Sequence, residues 1–186
     1  RNKDTQYKML KKLELKTSDY YAIKNYSKKL KIDFISSVFD EESISFLIKK
    51  MKSKIIKIPS GEITNYLILK KLNLNSSFII LSTGMANLTE IEEMVDTARS
   101  HGCKDLILLH CISSYPAPTE QSNLLTIPDM KSKFNVQIGL SDHTTSNTAA
   151  IAATALGATI FEKHFILDRS SIGPDSSFSI EPEELT

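Results

Sequence analysis

Short, continuously apolar runs recur along this chain, each followed by a segment with helical spacing, and that alternation leaves few folds open. The runs fall at residues 32–36, 55–58, 78–82, 106–111, 136–140 and 158–165, with helical stretches such as 41–51, 65–72, 88–101 and 147–156 between them. Strand and helix in strict alternation predict a parallel sheet, whose crossover connections are what the helices supply. A parallel strand is covered on both faces, so its sequence should be apolar throughout rather than at every second residue. Phe78-Ile79-Ile80-Leu81 and Leu106-Ile107-Leu108-Leu109 read that way.

Successive runs lie roughly 22 to 30 residues apart, the length of a β/α unit with short connections. A barrel and a doubly wound sheet both produce that spacing. The polar residues favour the barrel: Ser36-Ser37, Ser60-Gly61-Glu62, Ser82-Thr83-Gly84, Ser113-Ser114-Tyr115, Ser141-Asp142-His143 and Glu162-Lys163-His164 all sit at or just after strand ends. In a barrel these positions converge on one face. Six units are two short of an eightfold barrel of about 250 residues, and helical segments at 4–15 and 17–30 precede the first run. The expectation is an α/β chain whose residues 1–186 form part of a (β/α)8 TIM barrel, from the helix after the second strand through strands three to eight. The polar loop at 167–180, after the last strand, is placed to close over the site.

Composition narrows the partners. With 23 basic and 22 acidic residues in 186, and a formal charge of +1, no overall field points to nucleic acid or a membrane surface. No apolar stretch reaches the roughly 20 residues of a membrane helix, and Arg1-Asn2-Lys3 is not followed by a signal-peptide core. Cys103 and Cys111 lack the spacing of a zinc site or a disulfide framework and read as reduced thiols. The cytoplasm is the expected compartment, and small solutes are the expected ligands.

Three groups of residues carry chemistry. Neutral imidazole is a good ligand for a borderline divalent ion, and His143 and His164 end adjacent strands, where they would either share one ion or act as hydrogen-bonded barrel histidines. His110 lies inside an apolar run and reads as a core residue, while His101 closes a helix near its negative end. Lys57 with Ser60, Ser82 with Thr83 and Gly84, and Ser141 bring a cation, hydroxyls and amides to one place, as anion binding without a P-loop requires; singly, each could equally be an ordinary strand-end residue. Among the acids, Glu162 projects from the same strand face as His164, and Asp175 rides the Gly173-Pro174 turn toward the mouth. Glu62 and Asp142 read at least as well as helix-start charges or caps.

Taken together, Phe34-Ile35-Ser36-Ser37-Val38-Phe39-Asp40, Lys57-Ile58-Pro59-Ser60-Gly61-Glu62, Leu81-Ser82-Thr83-Gly84-Met85, Leu109-His110-Cys111-Ile112-Ser113-Ser114-Tyr115-Pro116, Gly139-Leu140-Ser141-Asp142-His143-Thr144 and Glu162-Lys163-His164-Phe165 resemble the sialic acid synthase family. The resemblance implies a phosphoenolpyruvate-dependent synthase, a transferase that condenses phosphoenolpyruvate with an N-acetylated hexosamine aldehyde. The products would be a nine-carbon 2-keto sugar acid and phosphate. It also implies a catalytic barrel followed by an antifreeze-like domain, which this chain stops short of, in a domain-swapped homodimer. By the same resemblance, His143 and His164 hold manganese, or magnesium or cobalt, and Lys57, Ser60, Ser82 and Ser141 hold the phosphate. Ser37 joins the phosphate contacts where threonine is common, Tyr115 helps with the carboxylate, and Ser113 stands where some members carry asparagine. Asp175 is the acid near the sugar, with Glu162 beside it; Ser176 follows where many relatives have histidine.

Two other readings share the same residues. A metal-dependent aldolase acting on a phosphosugar uses a barrel, a phosphate site and histidine ligands as well. A truncated domain that binds sugar or phosphate without turnover would keep the ligands and lack the upstream strands.

Overall fold

A computed structural model describes residues 6–71 and 78–185. The chain separates into two compact units, Arg1–Ser36 and Ser37–Thr186. Among the expected helices, residues 4, 5 and 72 lie outside the described part.

The first unit holds α1 (Gln6–Leu13) and α2 (Thr17–Leu30). The Lys16 amide donates to Asp19 at 3.0 Å at the start of α2, and Lys31 ends it in the left-handed conformation, φ 59°. The expected first strand at 32–36 is not one. Ile32 is 62% exposed and Ile35 40% exposed, and these residues join no ladder. A strand is defined by its partner, and apolar composition without one gives only extended chain.

The second unit begins beside the sheet. Ser37 makes a single parallel bridge to Lys57, and the Val38 amide donates to the Lys57 carbonyl at 3.1 Å. Asp40 caps α3 (Glu41–Ser45), accepting from the Ser43 amide at 2.6 Å. The helix expected over 41–51 then loosens into a π-helical turn, Phe46–Lys50, so one segment contains two helical geometries. Ile44, Leu47 and Met51 are its buried residues, packed in the core.

Five strands follow: β1 (Ile55–Ile58), β2 (Phe78–Ser82), β3 (Asp105–Cys111), β4 (Gln137–Asp142) and β5 (Phe161–Lys163). All pairings are parallel, and the spatial order is β1-β2-β3-β4-β5. A doubly wound sheet reverses its strand order at a switch point. This one never does, and it curls as a half-barrel. In a flat sheet, β1 and β5 would stand four spacings of about 4.8 Å apart, about 19 Å, yet Lys57 on β1 reaches Glu162 on β5 with 3.3 Å between Nζ and Oε2. Only curvature brings those side chains together.

Between the strands lie α4 (Tyr66–Lys71), α5 (Leu88–Ser100), α6 (Thr126–Phe134) and α7 (Thr148–Ala155). Asn87 and Glu90 form a reciprocal capping box at the start of α5, and Ile91, Met94, Val95 and Ala98 turn its apolar face inward. On the sheet, Ile56, Ile58, Ile79, Leu81, Ile107 and Leu108 are each at most 1% exposed. β5 is shorter than the run at 158–165 suggests. Beyond Lys163 the backbone turns to a returning segment, Ile180 donating to the His164 carbonyl and Ile166 to the Ile180 carbonyl, both at 2.9 Å. Among the described residues, no helix is long and apolar enough to cross a membrane.

Candidate active site

Parallel strands end at one rim, and side chains alternate, so each strand offers one or two residues to the concave face. From β1, Lys57 is buried to 6% exposure and donates to Ser82 Oγ at 2.8 Å. Just past β1, Ser60 Oγ accepts the Gly84 amide at 2.9 Å. A Cβ on Gly84 would lie 2.3 Å from Ser113 Oγ and 2.9 Å from Ser60 Oγ, so any side chain here would displace those hydroxyls. The absence of one lets the loops after β1, β2 and β3 meet. Ser141 on β4 donates to Glu162 Oε1 at 2.8 Å, while the other carboxylate oxygen faces Lys57. The expected anion-binding group of Lys57, Ser60, Ser82 and Ser141 is therefore joined through Glu162 to the acid set. Ser37 is bridged to Lys57 at its edge.

The histidines occupy the other end. The rings of His143 and His164 are 5.4 Å apart, and Tyr115 packs on both, at 4.1 and 5.9 Å. His143 Nδ1 donates to the Ile112 carbonyl at 2.9 Å, because a carbonyl can only accept, and that tautomer leaves Nε2 with its lone pair. His164 Nδ1 lies 3.4 Å from Asp175 Oδ2, which again turns Nε2 away from the carboxylate. An imidazole held through one nitrogen by a carbonyl or carboxylate is the usual outer arrangement behind a metal ligand. Among the described residues, no group of three or more histidine, cysteine, aspartate or glutamate side chains is arranged to hold a metal.

Burial pulls His143 toward the neutral form, but the Cys111 sulfur, as hydrogen-bond acceptor and as thiolate charge, the Ile112 carbonyl and the charge of Glu162 outweigh it and raise its pKa. Burial takes His164 the other way, below the ordinary imidazole value, with His143 and Lys163 adding to it against Asp175 and Glu162. The His164–Asp175 contact is thus a neutral imidazole beside a half-exposed carboxylate rather than an ion pair. For Tyr115, burial and then the charges of Cys111, Glu162 and Asp175 raise the phenol, which keeps its proton and remains a donor.

Lys57, Ser60, Ser82, Ser141, Glu162, Tyr115, His143, His164 and Asp175 are linked by contacts on this face, Ser113 enters through Cys111, 3.9 Å from its sulfur, and Ser37 is placed only by its backbone bridge. Cys111, with its sulfur 4.0 Å from His143 Nδ1, belongs to the site without having been expected there. Phe178 also does, its ring 5.0 Å from His164 and 5.7 Å from Tyr115. The end of a strand was signal enough for Cys111, but nothing in the sequence marks Phe178. His110 is a core residue, as expected, with Nε2 2.8 Å from the Ser122 carbonyl. Asp142 does not cap α7. One oxygen accepts the Thr144 amide and the other pairs with Lys163. Glu62 accepts from Asn65 at 2.8 Å in the turn before α4.

Comparison with known proteins gives the site its context. The NeuB family matches residues 1–186. An N,N'-diacetyllegionaminic acid synthase from Campylobacter jejuni is 45% identical over 186 residues, covering 99% of this chain and 55% of its own length. A second, from Legionella pneumophila, is 41% identical and covers 97% of this chain and 52% of its own. The crystal structure of N-acetylneuraminic acid synthetase from Leptospira borgpetersenii, in complex with citrate, superposes with a TM-score of 0.90 at 36% identity, over 96% of this chain and 62% of that one. The chain spans about half the length of the curated relatives it matches, 54%, 55% and 52% of the first three. Matched along all its residues, and more than 40% identical to two synthases of sugar acids, the chain belongs to the NeuB family.

Proposed function

We propose that the full-length protein condenses phosphoenolpyruvate with the open-chain aldehyde of an N-acetylated hexosamine, giving a nine-carbon 2-keto sugar acid and phosphate. The observation that carries this reading is the pairing, on one rim, of a buried lysine–hydroxyl anion site with two imidazoles whose Nε2 atoms are open. The relatives' names support the class of product. The residues described here are read as part of a closed (β/α)8 barrel, followed by an antifreeze-like domain and completed by a partner copy. Two free thiols, Cys103 and Cys111, support a reducing compartment such as the cytoplasm.

Lys57, Ser60, Ser82 and Ser141, with Ser37 at the edge, would hold the phosphate of phosphoenolpyruvate, the ammonium supplying the charge and the hydroxyls the direction. Ser113 and the protonated Tyr115 phenol would take its carboxylate. His143 and His164 fit a divalent cation such as manganese, which when bound would supply Lewis-acid polarisation of the aldehyde oxygen. The C2–C3 π electrons of the enol form the bond from C3 to the aldehyde carbon, and the aldehyde oxygen becomes a hydroxyl with a proton that the attacking water makes good. Positive charge developing at C2 lies near the Glu162 carboxylate. Water adds at C2 and loses its proton to Asp175 or Glu162. The tetrahedral centre expels phosphate by breaking the C2–O bond, its hydroxyl proton leaving with the phosphate, and the ketone remains. Fixing both reactants on one rim supplies the proximity contribution.

The test is a product assay on the full-length protein with phosphoenolpyruvate and a panel of amino-sugar aldehydes that includes N-acetylmannosamine and a diacetamido sugar, with and without manganese. Phosphate release requiring both substrates, together with a 2-keto acid product, is expected. Retro-cleavage of a sugar phosphate without phosphoenolpyruvate would overturn the reading in favour of an aldolase.

A further inference from the structure

Asp142 and Lys163 are direct register partners across β4 and β5, the last pair before the strands give way to His143 and His164. Side chains alternate, so histidines on the concave face put this pair on the opposite one. The Lys163 ammonium lies 2.7 Å from Asp142 Oδ2 and donates to the Thr144 carbonyl at 2.7 Å and the Ser146 carbonyl at 2.9 Å. The other Asp142 oxygen accepts the Thr144 amide at 2.9 Å. One cation thus ties β5 to β4 and to the loop leaving His143. With side chains 11% and 2% exposed, the ion pair itself is largely shielded from water.

A buried ion pair gives little net stability over an apolar replacement, so stability is not its evident use. Register is. β5 makes three paired positions with β4, and the Ile180 segment bonds to the backbone at its far edge, but it is the Lys163 side chain that joins β5 to the loop leaving His143. A shift of β5 along β4 would move His164 relative to His143 by the same amount.

We infer that the Asp142–Lys163 pair is a positioning device that fixes the separation of His143 and His164 and so sets their affinity for a divalent cation. This rests on the cation site proposed above.

The experiment titrates the full-length protein with manganese alone, following the free ion by electron paramagnetic resonance, with thermal melting of the metal-free protein in parallel. Lys163→Met and Asp142→Asn should each weaken manganese binding by at least about 10-fold, the lower end of the loss seen when a group bonded directly to a metal ligand is removed. The double variant Asp142→Asn/Lys163→Met removes both charges. It should melt close to the wild type while still binding manganese at least about 10-fold more weakly, a separation that a purely stabilising pair would not give. Wild-type affinity in the folded double variant would overturn the inference, as would failure of all three variants to fold. His143→Ala and His164→Ala serve as the reference. If they lose manganese and the double variant does not, positioning alone fails; if they bind it normally, the cation site fails and the inference with it.

Discussion

Replacing Gly139 with alanine should drive β4 away from the segment that leads into β5. A Cβ at this position would lie 2.3 Å from the Ile160 carbonyl oxygen and 2.6 Å from Leu109 Cδ2. Ordinary contact between such atoms is about 3.5 Å, so something must yield by about 1 Å. Leu109 can rotate in part, but the Ile160 carbonyl is backbone and already accepts the Leu140 amide at 2.9 Å. Overpacking of this kind costs about 1–3 kcal/mol. If the Leu140 amide is left buried without its partner, about 1–3 kcal/mol is added. With both costs the total is about 2–6 kcal/mol, which at about 2–4 °C per kcal/mol for about 150–250 residues lowers the melting temperature by about 4–24 °C. The assay is thermal unfolding of the full-length variant beside Gly61→Ala, whose added Cβ meets nothing within 4 Å and which should melt no lower than the wild type. Equal melting temperatures for the two variants would refute the argument.

Asp40→Ala should cost about 1 kcal/mol as a lost helix cap. Because the Ser43 bonds hold the Asp40 carboxyl below its usual pKa, that stabilisation is present above the ordinary aspartate value and fades as pH falls through the lowered one, which acid titration of the melting temperature would track. Burial holds His110 neutral in the fold while the unfolded chain takes up a proton below about pH 6.5, so stability should fall as pH drops below that value. His110→Asn, which can still donate to the Ser122 carbonyl, should flatten the dependence. Lys57→Met should raise the KM for phosphoenolpyruvate and lower kcat/KM by at least about 10²-fold in steady-state assays, since it removes the cation from the proposed phosphate site.

Much of the sheet was legible because its signals are local. Residues 55–58 and 78–82 are strands with the expected bounds, as continuous burial on both faces demands. Residues 32–36 have similar composition and fail, because pairing is a property of neighbours and not of the run itself. Residues 126–134 form a helix although Pro128 interrupts their periodicity, since proline is tolerated in a first turn. Strand-end polarity brought Lys57, Ser82, Ser141, Glu162, His143 and His164 to one rim without any knowledge of distances. What it could not give is which groups touch. That Glu162 stands between Lys57 and Ser141 depends on curvature, and that Phe178 abuts His164 depends on the path of a returning loop.

The contact between Lys57 and Glu162 has a consequence for assembly. These residues are far apart in the chain, yet every strand between them pairs only with its neighbours in sequence. Each strand can therefore add to the last by a short loop closure whose cost is repaid at once. The lysine–glutamate contact is different: it forms only when four successive pairings are in register and the sheet has reached its full curvature. It acts as a checkpoint on the finished arc. An error in any one pairing leaves a buried ammonium without its carboxylate, so a single defect anywhere along the sheet is felt in the anion site.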